Sequence, residues 1–213
     1  MNIKPQYGGS GEDQWAWISC DAPRVVYALL RFWAGEDSRV QAAVRYQKNL
    51  LRENGWPCAV APELGKFRGP GRKADPCPYA DLVMLQMLSL LPETGGDAAR
   101  VGAETLLSLW DEWKHRRPYL FALGTGFAKL KAPSIWYDLL HVPDVLSSYP
   151  WLKGDRRMEE MTGLVQSKAD GLGRYTPESI WTAWKEWEFG QKKAPSRWIT
   201  LIALRLLKRC GSQ

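Results

Sequence analysis

Six aspartates recur at fixed spacing in this 213-residue chain. Asp21, Asp81 and Asp138 each open an apolar stretch and stand 60 and 57 residues apart; Asp37, Asp97 and Asp155 follow them, 60 and 58 apart. Carboxylates brought together on neighbouring helices can act as general acid, general base or metal ligand. A carboxylate at a helix start has a simpler use: it accepts the unpaired N–H groups of the first turn and meets the positive end of the helix dipole. Repetition in every unit favours that second use for Asp21, Asp81 and Asp138. Two other sets break the repeat. Lys66-Phe67-Arg68-Gly69-Pro70-Gly71-Arg72-Lys73 concentrates cations that suit a diphosphate, a nucleic-acid phosphate or an acidic peptide. It lacks the Gly-x-x-x-x-Gly-Lys spacing of a P-loop and reads more simply as a solvated connection. Trp181, Trp184 and Trp187 are spaced by three; with Trp110 and Trp113 they suit an apolar or carbohydrate pocket or, more simply, a packed core. No Gly-x-Ser-x-Gly, His-Glu-x-x-His or Cys/His nucleophile signature occurs.

Bulk properties narrow the partners. Lys and Arg outnumber Asp and Glu by 29 to 23, a formal charge of +6 that mildly favours anions. No recognisable nucleic-acid module accompanies that charge, so nucleic acid is not the expected partner. No apolar run approaches the ~20 residues of a membrane span, and the polar, Gly-rich stretch from Met1 to Glu12 has no secretory core. Cys20, Cys58, Cys77 and Cys210 are scattered without a Cys-x-x-Cys pair, which points to free thiols and a cytoplasmic location.

The elements that would position these residues are helices. Residues 1–13 read as a flexible lead-in. Hairpin units are predicted near 21–57, 79–118 and 134–175, followed by an extra aromatic helix and a half unit over 178–210, all within one repeat domain. Val25, Val26, Leu29, Leu30 and Trp33 form the expected apolar stripe of the first helix. The third unit is predicted to open with a helix from Ser134 to Tyr149, kinked by the interior Pro143. Thr176-Pro177-Glu178-Ser179 is the expected cap of the helix carrying Trp181, Trp184 and Trp187. Ala194-Pro195-Ser196-Arg197-Trp198 nearly copies Ala132-Pro133-Ser134-Ile135-Trp136 and opens the half unit. No segment alternates with period two, so the chain is predicted to be all-α: an array of about three and a half antiparallel helical hairpins.

The unit, with turns Asp37-Ser38-Arg39, Asp97-Ala98-Ala99-Arg100 and Asp155-Arg156-Arg157, resembles the α/α-toroid repeat of squalene and terpene cyclases and protein prenyltransferase β subunits. Gln47 to Gly55-Trp56 and Gln166 to Gly171 and Tyr175 resemble degenerate forms of its Gln…Gly-x-Trp repeat. Trp136-Tyr137-Asp138-Leu139-Leu140 and Pro195-Ser196-Arg197-Trp198-Ile199-Thr200-Leu201 are similar to stretches in uncharacterised bacterial proteins of that kind. The resemblance implies an open or partial toroid, with inner-helix starts lining a concave face. It places Asp21, Tyr79, Asp81, Tyr137, Asp138, Arg197 and Trp198 at the rim, and Trp136 joins the candidate ligand-binding residues. It also offers a dispersed donor set for zinc or magnesium in Cys20, Asp21, Cys77, Asp138 and His141, against the simpler reading of buried thiols and a core or capping histidine. No cofactor is otherwise expected.

The cyclase acid motifs Asp-x-Asp-Asp and Asp-Asp-x-x-Asp are absent. The first expectation is therefore a module that binds an apolar or anionic small molecule without chemistry. The alternatives are an isoprenoid-directed enzyme using Asp138, with His141, Asp81 and Asp21 as further candidates, and a homodimer assembled through open arc ends.

Overall fold

The computed structural model describes residues 16–64, 74–91, 96–112, 126–134 and 137–211. These form seven α-helices, short 3₁₀ turns and one pairing of two-residue strands, so the chain is mostly helical. It falls into two compact units, one ending at Thr105 and the other beginning at Leu106.

In the first unit α1 (Ala22–Arg31) packs on α2 (Ser38–Lys48) and on α3 (Pro78–Leu88). The unit is organised around Trp56, which is fully buried. Its backbone N–H donates to Asp81 Oδ1 at 3.0 Å, and its indole N–H donates to the Gln47 carbonyl at 2.9 Å. Its carbonyl accepts the Cys77 N–H at 2.7 Å. The first residues of α4 (Gly96–Glu112) complete the pocket, where Gly102 leaves room for the ring: a Cβ there would lie 2.6 Å from it.

The second unit repeats this local pattern. Tyr175 N–H donates to Thr200 Oγ1 at 3.0 Å, and its carbonyl accepts the Ser196 N–H at 2.9 Å. Trp56 with Cys77 and Asp81, and Tyr175 with Ser196 and Thr200, therefore have the same sequence separations and the same bonds. The second hydrogen-bonded side chain lies four residues past the N-cap of α3 in one case and of α7 (Arg197–Cys210) in the other. Asp81 is thus a buried tie one turn inside its helix, not a cap, which corrects the sequence expectation. Asp21 occupies the N-cap position of α1 but makes no side-chain capping bond, so the 60-residue spacing does not make it the equivalent of Asp81.

The second aspartate set behaves as predicted at two of its three positions. Asp37 accepts the Arg39 N–H at 2.8 Å at the start of α2. Asp155 accepts the Arg157 N–H, also at 2.8 Å, at the start of α6 (Arg156–Gln166). In both, the same arginine returns its guanidinium to the carboxylate. Asp97 lies exposed in the first turn of α4.

Three expectations are overturned. The helix predicted from Ser134 to Tyr149 shrinks to α5 (His141–Leu146), so Pro143 falls in a first turn, where its missing N–H costs nothing, and causes no kink. The segment after Pro177 is not a capped helix. Its backbone instead joins an edge: Leu130 carbonyl accepts N–H groups of Glu178 and Ser179, and β1 (Lys131–Ala132) pairs in parallel with β2 (Ser179–Ile180). Two 3₁₀ turns follow, folded together at Gly190, where a Cβ would stand 1.6 Å from the Trp184 carbonyl oxygen. The third correction concerns α1, which buries Pro23 and Val26 and turns Val25 and Leu29 to solvent, with Phe32 and Trp33 exposed just past its end. Trp33 is 89% exposed with φ at 60°, a costly conformation for a non-glycine residue. On α7, Trp198, Leu201 and Leu204 are likewise exposed.

Two glycines separate strain from sterics. Gly55 has φ of 112°, and a Cβ there would meet Asp81 Oδ1 and Thr105 Oγ1 at 2.8 Å; Gly154 has φ of 86° and open space around it. Gly154→Ala should cost about 1–2 kcal/mol, and Gly55→Ala should cost at least ~2 kcal/mol more. Urea unfolding of both variants checks this; equal losses would show that the Gly55 turn is not tightly packed against Asp81.

Candidate functional site

Two groups of chemically capable side chains result, one in each unit. In the first, the starts of α1 and α3 flank a short ladder in which Ile18 bridges Val60 and Pro57 bridges Pro76. This arrangement gathers Cys20, Asp21, Arg24, Cys58, Cys77 and Tyr79. The Arg24 guanidinium lies 5.3 Å from the centre of the Tyr79 ring. The Cys77 thiol is buried and in hydrogen-bond contact with Cys58, and that bond together with burial holds its pKa well above the usual thiol range. Burial, then the Asp21 and Cys58 charges, push Cys20 up to about 12. Burial also raises Tyr79. At neutral pH Cys20 and Cys77 are therefore protonated and are not standing nucleophiles.

The second unit holds Asp138 and His141, both buried. Asp138 Oδ1 accepts the N–H groups of Leu140 and His141 at 2.8 and 2.9 Å, capping α5 as the sequence predicts. Its Oδ2 is buried without a hydrogen-bond partner among the described residues. Burial pushes Asp138 up to about 7, against the two N–H bonds and the nearby Lys131 charge. Asp81 shares this condition: fully buried, with Oδ2 unpartnered, and raised by burial well above the usual carboxyl range.

Lys131 also lines a pocket of about 390 Å³ with Ala132, Ser179, Ile180, Trp181 and Thr182. The volume lies in the range of small-molecule sites. The pocket is built where β1 meets β2, so one wall comes from each of two segments far apart in sequence. Lys131 makes no salt bridge with a described residue, unlike Lys168, which pairs with Glu178 at 2.9 Å. Beside the pocket, Trp184, Trp187 and Phe189 form a contacting aromatic cluster with ring centres 5.7 to 6.1 Å apart. Trp181, Trp184 and Trp187 are exposed, which overturns their expected place in a core. Only Trp184 lies within a 3₁₀ turn; Trp181 and Trp187 are extended residues that open two successive turns, so the spacing of three does not build one helical face.

The sequence candidates therefore divide. Cys20, Asp21, Cys77, Tyr79 and Asp81 lie in the first unit; Tyr137, Asp138, His141, Arg197 and Trp198 lie in the second. The dispersed zinc set is split in the same way, and among the described residues no three His, Cys, Asp or Glu side chains form a group able to hold a metal ion. Arg197 and Trp198 are exposed at the start of α7, where Glu188 accepts the Arg197 N–H at 2.6 Å. Tyr137 is buried. Trp110 is buried, with its indole N–H donating to Glu160 at 2.9 Å. Lys66, Arg68, Arg72, Lys73, Trp113 and Trp136 lie outside the described residues. Lys131 and Thr182 were not signalled by any motif, and Ser179 only as part of an expected helix cap; two-residue strands are too short to leave a period. No described helix is long and apolar enough to cross a membrane. No family model, curated protein or solved structure matches the chain.

The Asp138 carboxyl makes stability depend on pH in a defined direction. Below its ordinary value of 3.8 both folded and unfolded states carry the proton. Between there and about pH 7 only the unfolded state ionises, so stability falls as pH rises and the loss is complete above the folded value. The span corresponds to a loss on the order of 4 kcal/mol. Asp138→Asn should remove that component, leaving the share due to Asp81. Urea unfolding at pH 5 and pH 8 tests it: an equal pH dependence in wild type and variant would show that Asp138 ionises normally.

Proposed function

We propose that this chain is a binding module of the α/α-toroid kind that holds a small ligand, anionic at one end and apolar in its body, in the pocket beneath Trp181. The observation that carries the reading is Lys131, a cation without a salt-bridge partner among the described residues, at a pocket whose other members are Ala132, Ile180, Trp181 and the hydroxyl-bearing Ser179 and Thr182. An ammonium and two hydroxyls suit a phosphate or carboxylate; an indole and an isoleucine suit a hydrocarbon body. The recurring bonds of Trp56 and Tyr175 to the helix that follows each support the hairpin repeat, and hence the toroid-like reading.

An isoprenoid-directed enzyme is the second reading. Asp138 favours it, since a carboxyl raised to about 7 retains a proton to donate near neutrality. Asp138 is fully buried and does not line the pocket, so binding without chemistry ranks first. The exposed apolar stripes of α1 and α7 support self-association as a further property of the same module.

Calorimetric titration with geranyl diphosphate, geraniol and inorganic diphosphate tests the proposal. Geranyl diphosphate should bind at least tenfold tighter than either fragment. Lys131→Ala and Trp181→Ala should each weaken it by tenfold or more, about 1.4 kcal/mol, while Trp187→Ala, outside the lining, leaves it unchanged. Binding indifferent to Lys131 and Trp181, or no binding of any of the three, overturns the site. Release of diphosphate from the bound compound would establish the enzyme reading in its place.

A further inference from the structure

The thiols of the first unit have no part in the pocket of the second, and their arrangement calls for a separate account. Three cysteines distant in sequence are drawn together by backbone pairing. Ser19 N–H donates to the Ala59 carbonyl at 2.8 Å and Ser19 Oγ to the Pro57 carbonyl at 2.9 Å, which fixes Cys20 beside the segment that carries Cys58. The Pro57–Pro76 bridge and the Cys77–Trp56 bond fix Cys77 against the same segment. All four cysteines are unbridged thiols. Cys77 is 2% exposed with its thiol in hydrogen-bond reach of Cys58, which is half-buried and so the more exposed of the two.

We propose that Cys58 and Cys77 form a redox site that closes to a disulfide on reaction with a small-molecule disulfide such as glutathione disulfide. The Cys58 thiolate, the accessible one, attacks one sulfur of the oxidant. A mixed disulfide forms, and one glutathione leaves as a thiolate that takes up a proton. The Cys77 thiol then gives up its proton and attacks the Cys58 sulfur, forming the Cys58–Cys77 bond and releasing the second glutathione. Two protein thiols and one glutathione disulfide become one protein disulfide and two glutathione thiols. The buried Cys77 must ionise in the second step, which makes that step the slower one. The bond would staple the N-cap of α3 to the extended Trp56–Ala59 segment. It would also close into a ring the stretch of sequence that carries Lys66, Arg68, Arg72 and Lys73.

The test uses the full chain in glutathione buffers of graded oxidation, with acid quenching, alkylation and peptide mapping by mass spectrometry. The expected product links the Cys58 and Cys77 peptides, reverts with dithiothreitol, and raises Tm by several degrees, about 5 °C for a closed loop of this length. Cys77→Ser should arrest the reaction as a glutathione adduct on Cys58. Cys20→Ser should leave the crosslink intact. A Cys20–Cys58 link, a stable adduct on Cys58 in the unsubstituted chain, or a crosslink that forms only in urea overturns the proposal. The mapping on unsubstituted protein decides the matter even where a variant fails to fold, and its outcome is independent of ligand binding at Lys131.

Discussion

One backbone hydrogen bond organises each unit: the N–H of a turn aromatic donates to a side-chain oxygen one turn inside the helix that follows. Trp56 to Asp81 and Tyr175 to Thr200 are its two instances. A turn that leaves a helix has unpaired N–H groups, and burying them unpaired is costly. An oxygen on the next helix removes that cost and fixes how far the turn sits from the helix start. The aromatic is thereby seated in the core, and Gly55 and Gly102 follow as requirements because a methyl at either place would strike Asp81, Thr105 or the indole. Asp81 Oδ2 is left buried without a partner among the described residues, and burial raises the carboxyl well above its usual range.

The sequence is most informative where the interaction is local. Asp37-Ser38-Arg39 and Asp155-Arg156-Arg157 are two-residue devices, and their caps are formed as the sequence predicts. Asp21 and Asp81 share a spacing but not a role, because the 60-residue interval joins a cap position to an interior one. A period in sequence is therefore not a register in structure unless the helix start is also known. Trp181, Trp184 and Trp187 illustrate a second ambiguity. Their spacing of three fits an α-helical face, and the choice against it is made by Leu130, whose carbonyl captures Glu178 and Ser179 and keeps the chain extended. Nothing local announces that capture.

The candidate site was partly legible for the same reason. Asp138 is visible as a cap because its partners lie two and three residues away. Lys131 and Ser179 meet only through a pairing of strands 48 residues apart, too short to leave a pattern and dependent on the rest of the unit. Asp144 is another case: its carboxylate receives the Arg205 guanidinium at 3.0 Å and joins α5 to α7, a contact no spacing rule predicts. The thiol group of the first unit was half visible. Cys20 and Cys77 stood out as helix-start residues, but Cys58 enters only through the ladder of Pro57 with Pro76.

The outward stripe of α1 has a consequence for how the chain breathes. Ten residues are too few for a helix to persist alone in water, so α1 depends on what it buries. It buries Pro23 and Val26, while Val25 and Leu29 on the helix, and Phe32 and Trp33 just past its end, face solvent. Beyond Pro23 and Val26 it is held by half-buried Tyr27 and Leu30 and by its packing on α2 and α3, so it buries less of its surface than α3, which is buried on nearly every side, and should open at a lower free energy. Opening of α1 alone leaves the Trp56–Asp81 bond in place, since neither partner lies on it. Amide exchange, proteolysis and any reagent that reaches Cys20 would then enter the first unit along α1.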